Sequence, residues 1–385
     1  MIHQPAILTA CVLALLLGAG VASPAMAASE FPVGDERYHT YRELTDELHQ
    51  LATDHPGIVA LSSLGKSDRG RDLWLLKISD NVTTDEPEPE VLVTALTHAR
   101  EHLTVEQALA LIGWLVDGYG TNARTTAIVD ATELWVIPEL NPDGAEFDIK
   151  HRRYHHWRKN RQPTPGSSAV GTDLNRNYGY RWDCCGGSSD SPWASMYHGP
   201  KPFSAPETTA ERAWILSRRQ GGVQQLRLEL NLHTAGEWVL YPYGYTTKAV
   251  PADMVPDDRA AMRALAQGMA SRNGYRAKQA ARWYITDGGA GDWSYGRLRL
   301  FAFTMELAPR APKDPDRFYL PDERIGPETE GNRDALLWFL EQAGCRYAAA
   351  GLEPACSPGG ASEEVTATGI GHRSQRTLRP ALLAD

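Results

Sequence analysis

Val91-Leu92-Val93-Thr94-Ala95-Leu96-Thr97-His98-Ala99-Arg100-Glu101 decides the architecture of this chain. Its first six residues form a near-continuous apolar run, the pattern of a strand buried on both faces of a sheet. A tight turn after such a strand aims His98 and Glu101, three residues apart, at one point. Zinc takes imidazole nitrogen and carboxylate oxygen, and a catalytic zinc keeps one of its four positions open. The stretch supplies two donors, so a third must come from elsewhere. Taken alone, a pair spaced this way is more often two surface residues than a metal site.

Outward from this stretch, the pattern alternates between strands and helices. Tyr41, Leu44, Leu48 and Leu51 recur at helical spacing, and Asp54-His55-Pro56-Gly57 ends that helix. Strands are expected over 58–64, 73–78, 134–137, 226–232 and 300–307. Helices are expected over 103–116, where Val105, Leu109, Ile112 and Val116 share a stripe, and over 207–217, 258–272 and 328–342. Between 141 and 205 the chain is rich in Gly, Pro, Ser and Asn without a clear period, and long loops of that kind are usually functional. Strands alternating with helices predict an α/β fold, a single domain with a mixed, mostly parallel central sheet covered by helices on both faces. Sites in such sheets form where strands end in loops. His98 and His233 both occupy such ends, and Glu306 lies on the last strand.

The first residues read as an export signal: a polar start, an apolar core over 13–17, then the cleavage pattern Ala25-Met26-Ala27. Residues 1–27 are therefore expected to be removed, giving a secreted protein, extracellular or periplasmic where an outer membrane exists. A retained anchor is the alternative, although the apolar run is short for a membrane span. Residues 28–356 form the expected catalytic domain, and 357–385, rich in Gly, Ser and Thr, an expected disordered tail. The 385 residues carry a formal charge of -9, which argues against nucleic acid as a general partner. A monomer without membrane attachment is expected. Of five cysteines, Cys11 leaves with the signal. Cys345 and Cys356 bracket a short loop that a disulfide would staple. Cys184 and Cys185 are adjacent, with Cα atoms about 3.8 Å apart in a trans peptide, so a strained vicinal bridge and two thiols both stay open.

Four further segments join the first: Asn141-Pro142-Asp143-Gly144, Trp157-Arg158-Lys159, Asp173-Leu174-Asn175-Arg176-Asn177, and 284–293 followed by Glu306. Together with His98, Glu101 and His233 they resemble the zinc carboxypeptidase (funnelin) family, above all its secreted bacterial carboxypeptidase T group. The resemblance runs from about Phe31 to Cys356. It implies that His98, Glu101 and His233 bind one catalytic zinc, and that Glu306 is the general base that takes a proton from water. It implies that Arg158 stabilises the developing oxyanion, and that Asn175, Arg176 and Tyr284 hold the terminal carboxylate of a peptide substrate. Arg100 matches a further substrate-side arginine, and Asp173 a carboxylate that orients a ligand imidazole. The chemistry agrees, because an exopeptidase must reject chain interiors and an arginine reading a free carboxylate does so. Each residue also has a plainer reading. The basic run 150–161 could be a solvated loop or a nucleic-acid patch, Glu306 a paired core carboxylate, His233 a capped core histidine and Tyr284 a packing residue. Only the joint match favours function.

Departures from the family carry information. Phe31-Pro32 follows the expected cleavage site almost at once, leaving no room for the inhibitory pro-segment of many secreted relatives. An enzyme made without a zymogen stage is expected, with a misassigned gene start as the alternative. Relatives that prefer Lys or Arg place an acidic residue at positions matching Gly289 or Gly291. A lysine buried without a counter-charge is costly, so a hydrophobic or broad preference is expected. Ala235 stands where relatives carry a tyrosine beyond the cut. Asp85, Glu86, Glu88 and Glu90 align with an acidic stretch that binds calcium in the carboxypeptidase T group, with a solvated loop as the alternative. Two other readings remain beside a secreted metallocarboxypeptidase: a peptidoglycan peptidase of the same superfamily, and a non-catalytic binding module on this fold.

Overall fold

Glu90, Val91, Leu92 and Val93 are each 0 % exposed, and alternate residues of this strand serve two separate cores. Val91 and Val93 pack with Leu228, Leu230 and Leu232. Leu92 packs with Ile137, Ile215 and Trp293. A period of two with both faces apolar makes this a central strand. The computed structural model describes residues 1, 30–310, 316–352 and 356. The expected signal cleavage site, Cys11 and the expected tail lie outside these.

The order is α1 (Tyr41–Asp54), β1 (Val59–Lys66), β2 (Asp72–Ile78), β3 (Glu90–Thr94), α2 (Leu103–Gly118), α3 (Ala123–Val129), β4 (Glu133–Ile137) and α4 (Pro142–Asp148). Then follow α5 (Pro206–Ser217), β5 (Arg219–Gln220), β6 (Val223–Gln224), β7 (Leu226–Thr234), β8 (Trp238–Tyr241), α6 (Pro256–Asn273), β9 (Arg276–Gln279), α7 (Ala290–Leu298), β10 (Phe301–Leu307), α8 (Ile325–Gly331) and α9 (Arg333–Glu341). Eight strands form one sheet in the order β1-β2-β4-β3-β7-β10-β8-β9, and β5 and β6 form a separate ribbon. The four central strands β4, β3, β7 and β10 run parallel, while β1, β2 and β8 enter through antiparallel pairings. Residues of α1, α2, α6 and α9 fill the core on one face. Residues of α5 and α7 contribute to the other. The mixed sheet covered on both sides matches expectation.

Local chemistry explains the element ends. Thr40 and Glu43 form a reciprocal capping box at the start of α1, which buries Leu44 and Leu48. Asn141 caps α4 by accepting from Gly144 N–H, so the stretch expected to be irregular begins with a helix. The single helix expected over 328–342 is two, broken at Asn332. Its side-chain amide donates to Gln107 Oε1 at 2.9 Å and to the Glu328 carbonyl at 3.1 Å, pulling that residue into the core. Cys345 is bonded to Cys356, and Cys184 to its neighbour Cys185. Among the described residues no helix is long and apolar enough to cross a membrane.

Candidate metal and active centre

His98 and Glu101 sit in the turn after β3. Leu96 adopts a left-handed conformation, φ 48°, and its N–H donates to Thr104 Oγ1 at 2.9 Å. The Asn141 amide donates to the Thr97 carbonyl at 3.1 Å. Ala99 N–H donates to the Arg158 carbonyl at 3.1 Å. These bonds satisfy the backbone where the strand ladder stops, and they fix the turn. The other contributors come from the sheet itself. His233 on β7 and Glu306 on β10 are direct partners in the parallel ladder, so both side chains leave the same face side by side.

Three donor atoms converge. His98 Nδ1 lies 2.9 Å from Glu101 Oε1, His233 Nδ1 lies 2.9 Å from Glu101 Oε2, and the two imidazole nitrogens are 3.1 Å apart. All three side chains are buried. Zinc–ligand bonds of roughly 2.0–2.2 Å place tetrahedral donors about 3.3 Å from one another, close to these separations. Two buried imidazole nitrogens cannot face each other this closely without a proton or cation between them. The donor set therefore fits a zinc ion. Burial and then the nearby Arg158 charge pull the His98 pKa down, whereas at His233 the Glu101 carboxylate outweighs burial and raises it.

Asp173 stands behind His98. Its Oδ1 is 3.2 Å from His98 Nε2 and accepts Asn175 N–H at 3.1 Å, while its Oδ2 accepts Arg158 Nε at 2.8 Å. Burial alone would raise the pKa of Asp173, but Arg158 and His98 outweigh it and hold this carboxyl well below the usual range. Burial likewise opposes the charge on Arg158, and Asp173 outweighs it. Glu306 is buried, and burial pushes its carboxyl up. Among the described residues it has no hydrogen-bond partner, so its carboxylate is available at the pocket wall.

That pocket gathers Asn175, Arg176, Tyr284, Gly289, Gly291 and Glu306, all singled out by sequence. Arg176 is 1 % exposed, and it donates to two carbonyls, from Nε to Gly187 O at 2.8 Å and from Nη1 to Asn175 O at 2.6 Å. Tyr284 is 44 % exposed at the rim. Arg100 lies apart from this pocket. It stacks on Phe318, 4.0 Å from the ring centroid, and joins Arg158 in a second cavity.

Sequence reasoning missed several contributors. Ala302 and Thr304 line the pocket with Glu306, and the two-residue period of β10 would have found them. Asp287 Oδ2 accepts from Cys185 N–H and Gly187 N–H, at 3.0 and 2.9 Å. It thereby shapes the loop whose Gly187 carbonyl receives Arg176. No local pattern announces that role. The acidic stretch also divides. Asp85 and Glu90 bind Arg218 at 2.6 and 2.7 Å, and Glu133, beside them, accepts Lys77 Nζ at 2.8 Å. Glu86 and Glu88 converge instead with Asp80. The four acids expected to form one site thus do not.

A buried donor set of two imidazoles and a carboxylate, beside an unpaired carboxylate, defines a single-metal hydrolytic centre. The zinc carboxypeptidase family pattern matches residues 44–335. A zinc carboxypeptidase of Saccharothrix mutabilis subsp. capreolus is 44 % identical over 84 % of this chain and 73 % of its own. Carboxypeptidase A2 of Rattus norvegicus is 32 % identical over 80 % of this chain and 70 % of its own. The crystal structure of carboxypeptidase A from Helicoverpa armigera superposes with a TM-score of 0.69 at 28 % identity, covering 82 % of this chain and 75 % of that one. The chain belongs to the zinc carboxypeptidase family and is a zinc-dependent metallocarboxypeptidase.

Proposed function

We propose that this protein is a secreted carboxypeptidase that removes C-terminal residues of hydrophobic or broad character from peptides. The observation that carries this reading is Arg176, a buried guanidinium that among the described residues is bonded only to carbonyl oxygens. Carbonyl oxygens bring no full negative charge into contact with the guanidinium, and a peptide's terminal carboxylate supplies a charge-assisted partner beside the metal donors. Asn175 and Tyr284 flank that carboxylate. Small residues at Gly289, Gly291, Ala302 and Thr304 leave room for the terminal side chain. A Cβ at Gly291 would meet only Ala302 Cβ, at 3.8 Å, so the space there is real. Asp292, the other acid in the wall, accepts Gly244 N–H at 2.8 Å and Tyr245 N–H at 3.0 Å, and burial raises its pKa to about 7. It offers little charge to a lysine.

In this reading His98, Glu101 and His233 hold the zinc, which when bound supplies Lewis acidity. Glu306 accepts the proton of the attacking water and passes it to the leaving amine. Arg158, held by Asp173, faces the negative charge that develops on the carbonyl oxygen. The two disulfides fit an oxidising compartment, and residues 28–356 act as one catalytic domain. For calcium, the place the side chains leave open is Asp80, Glu86 and Glu88, which carry oxygens without hydrogen-bond partners. A cation there acts on stability.

The test is metal analysis of the mature protein together with hydrolysis of acyl-dipeptides ending in Phe, Leu, Lys or Arg. One bound zinc and faster release of Phe or Leu are expected. Faster release of Lys or Arg overturns the pocket assignment.

A further inference from the structure

A third cavity, of about 250 Å³, opens between α6 and β9, the edge strand of the large sheet. Arg259 and Arg263 reach it from α6, Lys278 and Gln279 from β9, and Arg282 from the short turn that follows. None of its lining residues is Asp or Glu, in a chain whose formal charge is -9. Arg259, Arg263 and Arg282 have neither an ion pair nor a hydrogen bond among the described residues, and Arg259 Nε is buried. The Lys278 ammonium sits over Trp238, 3.5 Å from the ring centroid, which leaves the three guanidiniums as the free charge. Arg259 and Arg263 are four residues apart on one helix face, a spacing at which like charges repel. An anion between them relieves that repulsion.

Gln279 adds a second demand. It is 2 % exposed, and its Nε2 donates to the carbonyls of Tyr243, Thr246 and Lys248 at 3.2, 2.7 and 3.2 Å. Those three acceptors fix which end of the amide is oxygen, and that oxygen, Oε1, is buried without a partner. A buried acceptor left unpaired is costly. The cavity therefore asks one ligand for two things: charged oxygens for the arginines and an O–H for Gln279. Guanidinium forks match the oxygens of phosphate. Inorganic phosphate keeps at least one O–H through the neutral range, whereas sulfate and an ionised carboxylate have none.

We propose that this cavity binds a hydroxyl-bearing phosphate through Arg259, Arg263 and Arg282, with Gln279 Oε1 accepting the ligand's O–H. None of these residues is a metal donor or Arg176, so the inference stands apart from the carboxypeptidase reading. Gln279 also holds the 243–248 loop, whose Gly244 and Tyr245 N–H groups bind Asp292. A ligand on Gln279 braces that loop.

The test is calorimetric titration of the zinc-loaded protein with inorganic phosphate, sulfate and glycerol 1-phosphate at low ionic strength. Phosphate is expected to bind at least about tenfold more tightly than sulfate, which brings Gln279 no proton. Added chloride should weaken it. Tighter binding of glycerol 1-phosphate assigns the site to a phosphorylated polyol, and tighter binding of inorganic phosphate assigns it to the free ion. Arg259→Gln and Arg263→Gln are each expected to weaken phosphate by about tenfold, with the melting temperature in the absence of phosphate unchanged. Equal affinity for phosphate and sulfate overturns the site without needing a variant, as does the absence of any binding. An affinity untouched by both substitutions also overturns it. So does competition between phosphate and a peptide substrate with a matching constant, because that places the ion at the metal donors or Arg176.

Discussion

Asp173 ties two functions to one carboxylate, because one oxygen faces His98 Nε2 and the other accepts from Arg158. Asp173→Asn keeps the shape and removes the charge that orients both. Losses of this kind cost about 10–100-fold in metal affinity or activity. Zinc affinity and kcat/KM are both expected to fall, and unchanged values for both would remove Asp173 from the site. Glu306→Gln separates base from ligand. It is expected to retain zinc while kcat drops by roughly 10²–10⁴, and undiminished turnover would exclude Glu306 as the base. At this scale the sequence was informative where residue type equals chemistry: the imidazoles, the carboxylates and the arginines. It was silent on Asp287, whose effect on Arg176 passes through the backbone of a distant loop.

Among the elements, β7 carries a hidden cost. Glu229 on β7 is 1 % exposed. Burial first, then the neighbouring Glu211, raises its pKa from 4.5 to about 7, against the hydrogen bond that Asn231 donates to Oε1 at 2.7 Å. The folded state therefore prefers its protonated form. That contribution is fully present below pH 4.5 and is lost as pH rises through about 7. Glu229→Gln abolishes the dependence. At pH 8 the variant is expected to melt higher than the parent, by at most about 3 kcal/mol of stability, with the difference vanishing near pH 4. Thermal melts across that range check it, and a lower melting point at pH 8 contradicts it. Long periodic elements such as α1, α2 and β3 were readable because burial follows their spacing. The short strands β8 and β9 and the helices α3, α4 and α7 were not, because tertiary pairing and caps define them. The break at Asn332 was hidden for the same reason: a polar side chain was drawn inward by Gln107, far away in sequence.

Across the whole molecule, the metal joins segments that are distant in sequence: the turn after β3 and the end of β7. Chelation leaves two imidazoles and a carboxylate buried against each other. Stripping zinc is expected to lower the melting temperature by several degrees and re-addition to restore it. A ligand at a thousandfold excess over its Kd stabilises by about 4 kcal/mol. Identical melts with and without zinc would show that these donors do not close on a cation. The overall architecture was legible from alternation of strands and helices. The meeting of distant loops around Arg176 was not, because nothing in a local pattern records which loops touch.

Glu306 and His233 are matched rungs of neighbouring parallel strands. Their spacing is therefore set by the main chain, at about 4.8 Å between strands, and not by any choice of side chain. Loops and helices around the cleft are free to drift in composition, retuning what is admitted, while the reactive pair keeps its distance. Diversification of substrate range without loss of chemistry is built into such a scaffold.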